Sequence, residues 1–191
     1  FPSDGDMNDI YYPFSEGKIK TRVMGDFFSY LNAELSSTSA ALSADLFGMT
    51  TTNADDLNVG QQLETALLYF DYVAPMVYPS HYANGFNGIA KPAEHPYEVV
   101  KYSMEQAIGK LRTKNLELRT ESSSSSVLSP KFSVSFRPWL QDFDLGTDYT
   151  AEMVRAQIQA LDDLQESSSA ITGWLLWNPS NVYTKAALLP E

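Results

Sequence analysis

The stretch DYVAPMVYPSHY (Asp71–Tyr82) decides the fold prediction, because a short apolar run passes directly into proline, aromatic and hydrogen-bonding side chains. Continuous apolar runs of this length are typical of strands that are buried on both faces of a parallel sheet. The same layout recurs in KFSVSFRPWLQDF (Lys131–Phe143) and in ITGWLLWNPSNVY (Ile171–Tyr183). In an α/β barrel the loops after the strands build the active site. The repeated layout therefore predicts both a barrel-like sheet and a site at its strand ends.

Helical periodicity alternates with the strand-like runs, which is the pattern of βα units around a parallel sheet. We expect strands at Ala41–Phe47, Tyr72–Tyr78, Phe132–Phe136 and Thr172–Trp177. We expect helices near Lys18–Leu35 and Gln61–Phe70, a helix that starts at Pro96, a helix at Ala151–Gln165 capped by Thr150, and a short closing helix near Tyr183–Leu189. In the first helix, an apolar stripe is expected from Ile19, Val23, Phe27, Leu31 and Leu35.

The fold class that follows is α/β, a (β/α)8 TIM-barrel-like fold that is only partly present, because four full strands are visible, with Phe1 and Pro2 as the possible end of a fifth. We expect residues 1–191 to form a single partial (β/α) barrel domain. A complete barrel typically needs about 250 residues. Three alternatives are open: the first half of the barrel is missing, the sheet stays open, or two copies associate through the open barrel edges.

Composition excludes several classes of function. The net charge is −11, from 13 basic and 24 acidic residues, which disfavours nucleic acid and anionic membranes as partners. The chain has no cysteine and only two histidines, so we expect no metal site and no cofactor. No apolar run is long enough to insert into a membrane, since a spanning helix needs about 18 or more residues. The chemistry must therefore use carboxyl, hydroxyl and aromatic groups.

Aromatic and hydrogen-bonding side chains gather where each predicted strand ends. In chain order they are Asp45 and Phe47; Tyr78, Ser80, His81 and Tyr82; Arg137, Trp139, Gln141 and Asp142; and Trp177, Asn178, Ser180 and Asn181. Aromatic rings can stack on the apolar faces of sugars, while amide, imidazole and carboxyl groups bind the sugar hydroxyls. Glycoside hydrolysis additionally needs two carboxyl groups across the scissile bond. The pattern predicts a carbohydrate site.

The chain also resembles a bacterial glycosyl hydrolase family with a TIM-barrel domain, whose substrates are largely unassigned. The resemblance rests on FPSDG (Phe1–Gly5), SADLFG (Ser43–Gly48), the Asp71–Tyr82 stretch, FRPWLQDF (Phe136–Phe143) and GWLLWNPSNVY (Gly173–Tyr183). It implies a sugar-directed hydrolase in which Phe1 and Pro2 end strand four and the four full strands are strands five to eight. It also implies a further aspartate just upstream of FPSDG, outside this chain.

From the residues and the resemblance together we expect Asp4, Asp45 and Asp142 as catalytic candidates. The expected substrate-binding residues are Tyr78, His81, Arg137, Trp139, Gln141, Trp177 and Asn178. Each catalytic candidate has a structural alternative. Asp4 could satisfy a turn, Asp45 could form an internal ion pair, and Asp142 could cap a loop, where Asp144 competes with it for the catalytic role. No glutamate lies at a visible strand end, although many barrel glycosidases use glutamates there.

The leading hypothesis is a glycoside hydrolase-like domain that cleaves O-glycosidic bonds of a polysaccharide or glycan at the cell surface by carboxyl acid/base chemistry. The first rival is a carbohydrate-binding or scaffold module without catalysis. That rival predicts aromatic residues on an open face and carboxyl groups that are paired off in salt bridges. The second rival is an inactive fragment.

Overall fold

A computed structural model describes residues 17–122 and 134–188 of this chain, excepting the side chains of 118–122. Its centre is a β-sheet in which all strand pairs are parallel. The strands are β1 (Ser43–Phe47), β2 (Tyr72–Met76), β3 (Ser135–Phe136), β4 (Trp139–Gln141) and β5 (Leu175–Trp177). Their order is β1-β2-β4-β5, and β3 pairs with β2 beside β4. Strands that are neighbours in sequence therefore lie side by side, as in a segment of a barrel.

Four α-helices connect these strands within the described residues. They are α1 (Lys20–Leu35), α2 (Leu63–Ala66), α3 (Pro96–Ser122) and α4 (Ala151–Gln165). The Thr150 hydroxyl accepts a hydrogen bond from the backbone N–H of Met153, so α4 begins at the predicted cap. Short 3-10 turns lie at Gly48–Thr51, Pro79–His81, Phe86–Gly88, Pro92–Glu94 and Lys185–Ala187.

The strand predicted at Phe132–Phe136 is present in the described residues as β3, and β4 follows beyond the predicted bounds, after a gap at Pro138. The register pairs Val73 with Phe136 and Met76 with Trp139, so it places Pro75 beside Pro138. Neither proline can donate a backbone hydrogen bond. The ladder resumes at once, because the N–H of Val77 donates to the carbonyl of Trp139 at 3.1 Å. β3 and β4 therefore act as one barrel strand with a local gap.

Alternate residues of the strands face the helices and form the core. On β2 and the strands beside it, this helix-facing set is Leu46, Val73, Val77, Phe136 and Leu140, all of which are buried. They belong to one apolar cluster with the helix residues Val100, Met104, Leu111 and Leu161. Successive strand side chains point to opposite faces, so the remaining strand residues share the other face of the sheet.

The structure confirms the predicted α/β fold, and its five parallel strands fit a partial barrel. The apolar stripe expected on α1 does not pack as one face. Ile19 is 73% exposed and Phe27 49% exposed, whereas Phe28 is buried and packs edge-on against Phe70. The described part of the chain covers only the Phe28 side of this helix. Within the same residues, no helix is both long and apolar enough to cross a membrane.

Gln157 on α4 ties that helix to β4 through a buried pair of hydrogen bonds. Its side-chain oxygen accepts from the N–H of Gln141 at 2.9 Å, and its amide donates to the Gln141 carbonyl at 2.7 Å. We expect Gln157→Met to fill the space but leave both backbone groups unpaired, which costs about 2 kcal/mol of unfolding free energy. Urea denaturation measures this loss, and Gln159→Met on the exposed side of α4 is the matched control. Equal stabilities of the two variants would contradict the expectation.

Candidate active site at the strand ends

The sheet face away from the helices is open, and we call it the open face. It consists of the side chains that alternate with the core residues: Ser43, Asp45, Phe47, Tyr72, Ala74, Met76, Ser135, Arg137, Trp139, Gln141, Leu175 and Trp177. Phe47 and Trp177 are 47% and 41% exposed, which is unusual for large aromatic side chains in a sheet. Both lie at the carboxyl ends of their strands, where a parallel barrel places its site.

Asp45 lies on β1, at one end of the described strand order, and is exposed. Its Oδ1 accepts a hydrogen bond of 3.1 Å from the indole Nε1 of Trp139, two strands away. The Trp139 ring meets the Trp177 ring edge-on, with centroids 6.0 Å apart. Among the described residues the carboxyl group therefore has a neutral, fixed partner, rather than the internal ion pair considered as its alternative. Its Oδ2 accepts no hydrogen bond from that part of the chain and faces the open side of the sheet.

Tyr78 and His81 pack together beyond the end of β2. The Tyr78 ring lies edge-on to His81 at 5.2 Å and to Phe143 at 5.5 Å. Burial raises the pKa of the Tyr78 hydroxyl, and the nearby Asp45 and Tyr183 raise it further. Tyr78 is only 6% exposed, so it offers little ring surface to a sugar. His81 is exposed and is the member of this cluster that a ligand could reach.

Desolvation against these rings lowers the pKa of His81 below its ordinary value of 6.5. The native state therefore binds this proton less tightly than the unfolded chain does, and acidification through the unfolded pKa reduces stability. We expect an NMR titration midpoint below 6.5 for the His81 imidazole. His81→Gln assigns the signal, because His95 is the one other histidine in the sequence. A midpoint above 6.5 would instead indicate that an acidic group such as Asp45 dominates.

Gln141 is fully buried, although it belongs to the open face by register. Its Oε1 accepts from the backbone N–H and the hydroxyl of Ser80, at 3.1 and 2.9 Å. Its amide donates to the carbonyl of Phe143 at 2.8 Å. These bonds connect the loop after β2 to the loop after β4. The structure therefore places Gln141 underneath the site, where it fixes two loops.

Asp142 is 2% exposed, and described residues occupy both of its carboxyl oxygens. Oδ1 accepts from the Thr184 hydroxyl at 2.6 Å, and Oδ2 accepts from the Thr184 N–H at 2.7 Å. Asn178 is also engaged, since its amide donates to the Asp142 carbonyl and its oxygen accepts from the Ser180 N–H. These contacts fit the structural alternative for Asp142, a residue that holds a loop, and they leave its side chain almost without exposed surface.

Arg137 extends along the open face but makes no ion pair with the carboxyl groups of the described residues. Its guanidinium carbon lies 4.1 Å from the centroid of the Tyr72 ring. The expected pairing with a strand-end aspartate is therefore replaced by a cation–π contact. Because Arg137 is exposed, its guanidinium N–H groups still face solvent on the open face.

The structure thus brings Asp45, Trp139 and Trp177 together on the open face, with Arg137 on the same side and His81 at the rim. Asp4 lies outside the described residues, so its distance from Asp45 is not part of the geometry. Asp144 is exposed, and its Oδ1 accepts from the Tyr149 N–H at 2.7 Å, which is a loop-capping contact.

Three residues at these strand ends were not among the expected catalytic or substrate-binding residues. Phe47 was placed at a strand end, and it belongs to the site because it is two residues from Asp45 on a strand and must share its face. Gly48 is required by close packing, because a Cβ there would lie 2.2 Å from the carbonyl oxygen of Met76. Tyr183 reaches the strand ends only because the chain folds back after β5, and no local pattern signals that.

Three comparisons with known proteins bear on this arrangement. A family model described as "Putative glycosyl hydrolase domain" matches residues 1–183. Among solved structures, the chain is similar to the glycoside hydrolase domain of PgaB (BpsB) from Bordetella bronchiseptica, with 20% sequence identity and a TM-score of 0.48. That match covers 83% of this chain and 37% of the other, so this chain spans well under half of its length. No curated protein matches the chain significantly.

Proposed function

This chain belongs to the glycosyl hydrolase domain family whose model matches residues 1–183, and from that premise we propose that it hydrolyses O-glycosidic bonds of a polysaccharide or glycan. In this proposal Asp45 is the catalytic carboxyl group of the described region. Trp139 orients it, and Phe47 and Trp177 form the apolar surfaces against which sugar rings pack.

One observation carries the proposal: an exposed carboxyl group, fixed by an indole N–H, shares one sheet face with exposed aromatic rings at the strand ends. Interactions of an exposed carboxyl group contribute little to the free energy of folding, so stability alone gives little reason for this arrangement. The adjoining rings of Trp139 and Trp177 add an apolar patch on this sheet face, and apolar patches bordered by polar groups mark binding sites. Together they provide two features that a glycosidase needs, one positioned carboxyl group and a surface for the sugar.

A second carboxyl group is needed for hydrolysis. Asp142 does not fit that role in the proposal, because Thr184 occupies both of its oxygens. Asp4 remains our proposed partner of Asp45, on the resemblance of FPSDG to a strand end of the family. The net charge of −11 favours a neutral or cationic glycan over a polyanionic one as the substrate.

A non-catalytic carbohydrate-binding domain is the second candidate function. The burial of Asp142 favours it, since that leaves a single free carboxyl group on the described open face. Both candidates predict binding through Phe47 and Trp177. They differ only in whether the glycosidic bond is broken.

The experiment that separates them uses a panel of cello-, xylo-, manno- and chito-oligosaccharides, with oligogalacturonate as the polyanionic comparator. Release of new reducing ends is measured beside binding by isothermal titration calorimetry, at the same concentrations. Turnover of at least one neutral or cationic member supports the hydrolase. Binding without turnover across the panel would establish the binding domain instead, and neither binding nor turnover would overturn both.

A further inference from the structure

The segment that follows β5 folds back onto the end of β4 and brings Tyr183 to the rim of the open face. We propose that Tyr183 is a substrate-binding residue and that the buried Asp142 carboxyl group is the positioning residue that holds it there. This inference rests on the proposed function, because the ligand is the same glycan. It replaces the catalytic role expected for Asp142 with a positional one.

Asp142 attaches this segment to the end of β4, while the turn at Lys185–Ala187 packs against α4. The N–H of Asp142 donates to the carbonyl of Trp177 at 2.9 Å, which continues the pairing of β4 with β5. Its carboxyl group also accepts hydrogen bonds from the backbone N–H and the hydroxyl of Thr184. A buried acceptor pair that matches a backbone N–H and a hydroxyl of one residue fixes that residue in position and orientation.

A tight turn between these two attachments reverses the chain. Asn178 accepts at its carbonyl from the N–H of Asn181 at 3.0 Å, and Asn181 adopts a positive φ of 55°. Asparagine tolerates this left-handed conformation better than most residues. The turn returns the chain toward β4, so Tyr183 comes back over the strand ends instead of continuing away from them.

Alternation along this segment directs Tyr183 toward the site. Its two neighbours, Val182 and Thr184, line a pocket of about 470 Å³ that also contains Asp144 and Tyr149. Tyr183, between them, lies close enough to Tyr78 to act electrostatically on that hydroxyl, as Asp45 also does. The ring is 37% exposed. Tyr183 therefore presents a partly exposed ring and hydroxyl at the strand ends, next to the residue that Asp142 holds.

The chemistry that such a residue recognises is a sugar ring with free hydroxyl groups. The phenol ring offers an apolar surface, and its O–H can donate to or accept from a sugar hydroxyl. Asp142, by contrast, needs only to accept hydrogen bonds. An asparagine at position 142 can still accept from the Thr184 N–H through its oxygen, while its amide donates to the Thr184 hydroxyl.

The test measures KM and kcat for reducing-end release, on the panel oligosaccharide with the highest turnover. We expect Tyr183→Ala to raise KM about tenfold, the loss of a ring contact worth about 1.4 kcal/mol, with the thermal midpoint unchanged. Val182→Ala is the matched control on the same segment, where the side chain is 71% exposed, and it should leave KM unchanged.

Two variants at position 142 then separate positioning from catalysis. We expect Asp142→Ala to raise KM as Tyr183→Ala does and to lower the thermal midpoint, and we expect Asp142→Asn to restore KM. A large loss of kcat in Asp142→Asn at an unchanged midpoint would show that the carboxyl group is catalytic, and would overturn the positioning role. An unchanged KM in Tyr183→Ala would overturn the binding role while the hydrolase stands. A wild-type protein without turnover or binding would remove the proposed function itself.

Discussion

Asp45→Asn is expected to reduce the kcat for glycosidic bond cleavage by about 10²–10⁴-fold, the usual contribution of a positioned acid or base. The asparagine oxygen can still accept from the indole N–H of Trp139, so the open face should keep its arrangement. Because Asp45 is exposed and has no ion pair within the described residues, its replacement should leave the thermal midpoint unchanged. Binding of the oligosaccharide should persist, since the aromatic surfaces remain.

The measurement combines steady-state kinetics with calorimetric binding of the same oligosaccharide. Asp162→Asn is the matched control, an exposed aspartate on α4 on the opposite side of the sheet. It removes one negative charge without touching the open face. A loss of turnover in both variants would indicate a general charge effect. Full activity in Asp45→Asn would eliminate Asp45 as the catalytic group.

Gly48→Ala is expected to destabilise the fold by about 3 kcal/mol, because backbone atoms cannot easily move aside for the added methyl group. A Cβ at this position would lie 2.2 Å from the Met76 carbonyl oxygen and 2.8 Å from the Tyr82 hydroxyl. Tyr82 cannot easily yield, because its hydroxyl accepts from Ser103 at 3.1 Å and its ring is buried. For a chain of this size, the thermal midpoint should fall by about 6–12 °C.

Gly109→Ala is expected to stabilise the same protein, in contrast to Gly48→Ala. Gly109 is an exposed position of α3, and no heavy atom beyond its own surroundings lies within 4 Å of the added Cβ. Alanine is the better helix former, so this variant should gain up to about 1 kcal/mol. Differential scanning calorimetry of both variants checks the pair. A midpoint for Gly48→Ala as high as that of Gly109→Ala would contradict the packing described at the end of β1.

The alternation of apolar runs and helical periods was sufficient to predict the parallel sheet and the partial barrel. Those patterns reflect burial on both faces of a strand and one face of a helix, which are local properties. The α4 helix, with its Thr150 cap, was predicted to the residue for the same reason. The predicted burial of the apolar stripe on α1 was wrong. Periodicity shows that a helix has an apolar face, but it does not show which neighbouring elements cover that face.

The site was harder to predict, because side chains near a strand end can point either outward or into the packing. Trp139 and Trp177 were assigned to the open face by the same reasoning that assigned Gln141, yet only Gln141 is buried beneath a loop. The loop after β2 covers it through Ser80, 61 residues away. Likewise, the burial of Asp142 depends on Thr184, 42 residues further along the chain. Contacts between residues that are this far apart in the sequence cannot be predicted from the local spacing of residue types.

The central claim, that a glycan binds on the open face at the strand ends, is tested most directly by the indole N–H signals of the three tryptophans during an NMR titration. Trp139 and Trp177 lie on the open face, whereas Trp174 packs against the core on the helix side. Addition of the panel oligosaccharide with the highest affinity should shift the Trp139 and Trp177 signals and leave the Trp174 signal in place. Binding that shifts only Trp174, or none of the three, would contradict the claim.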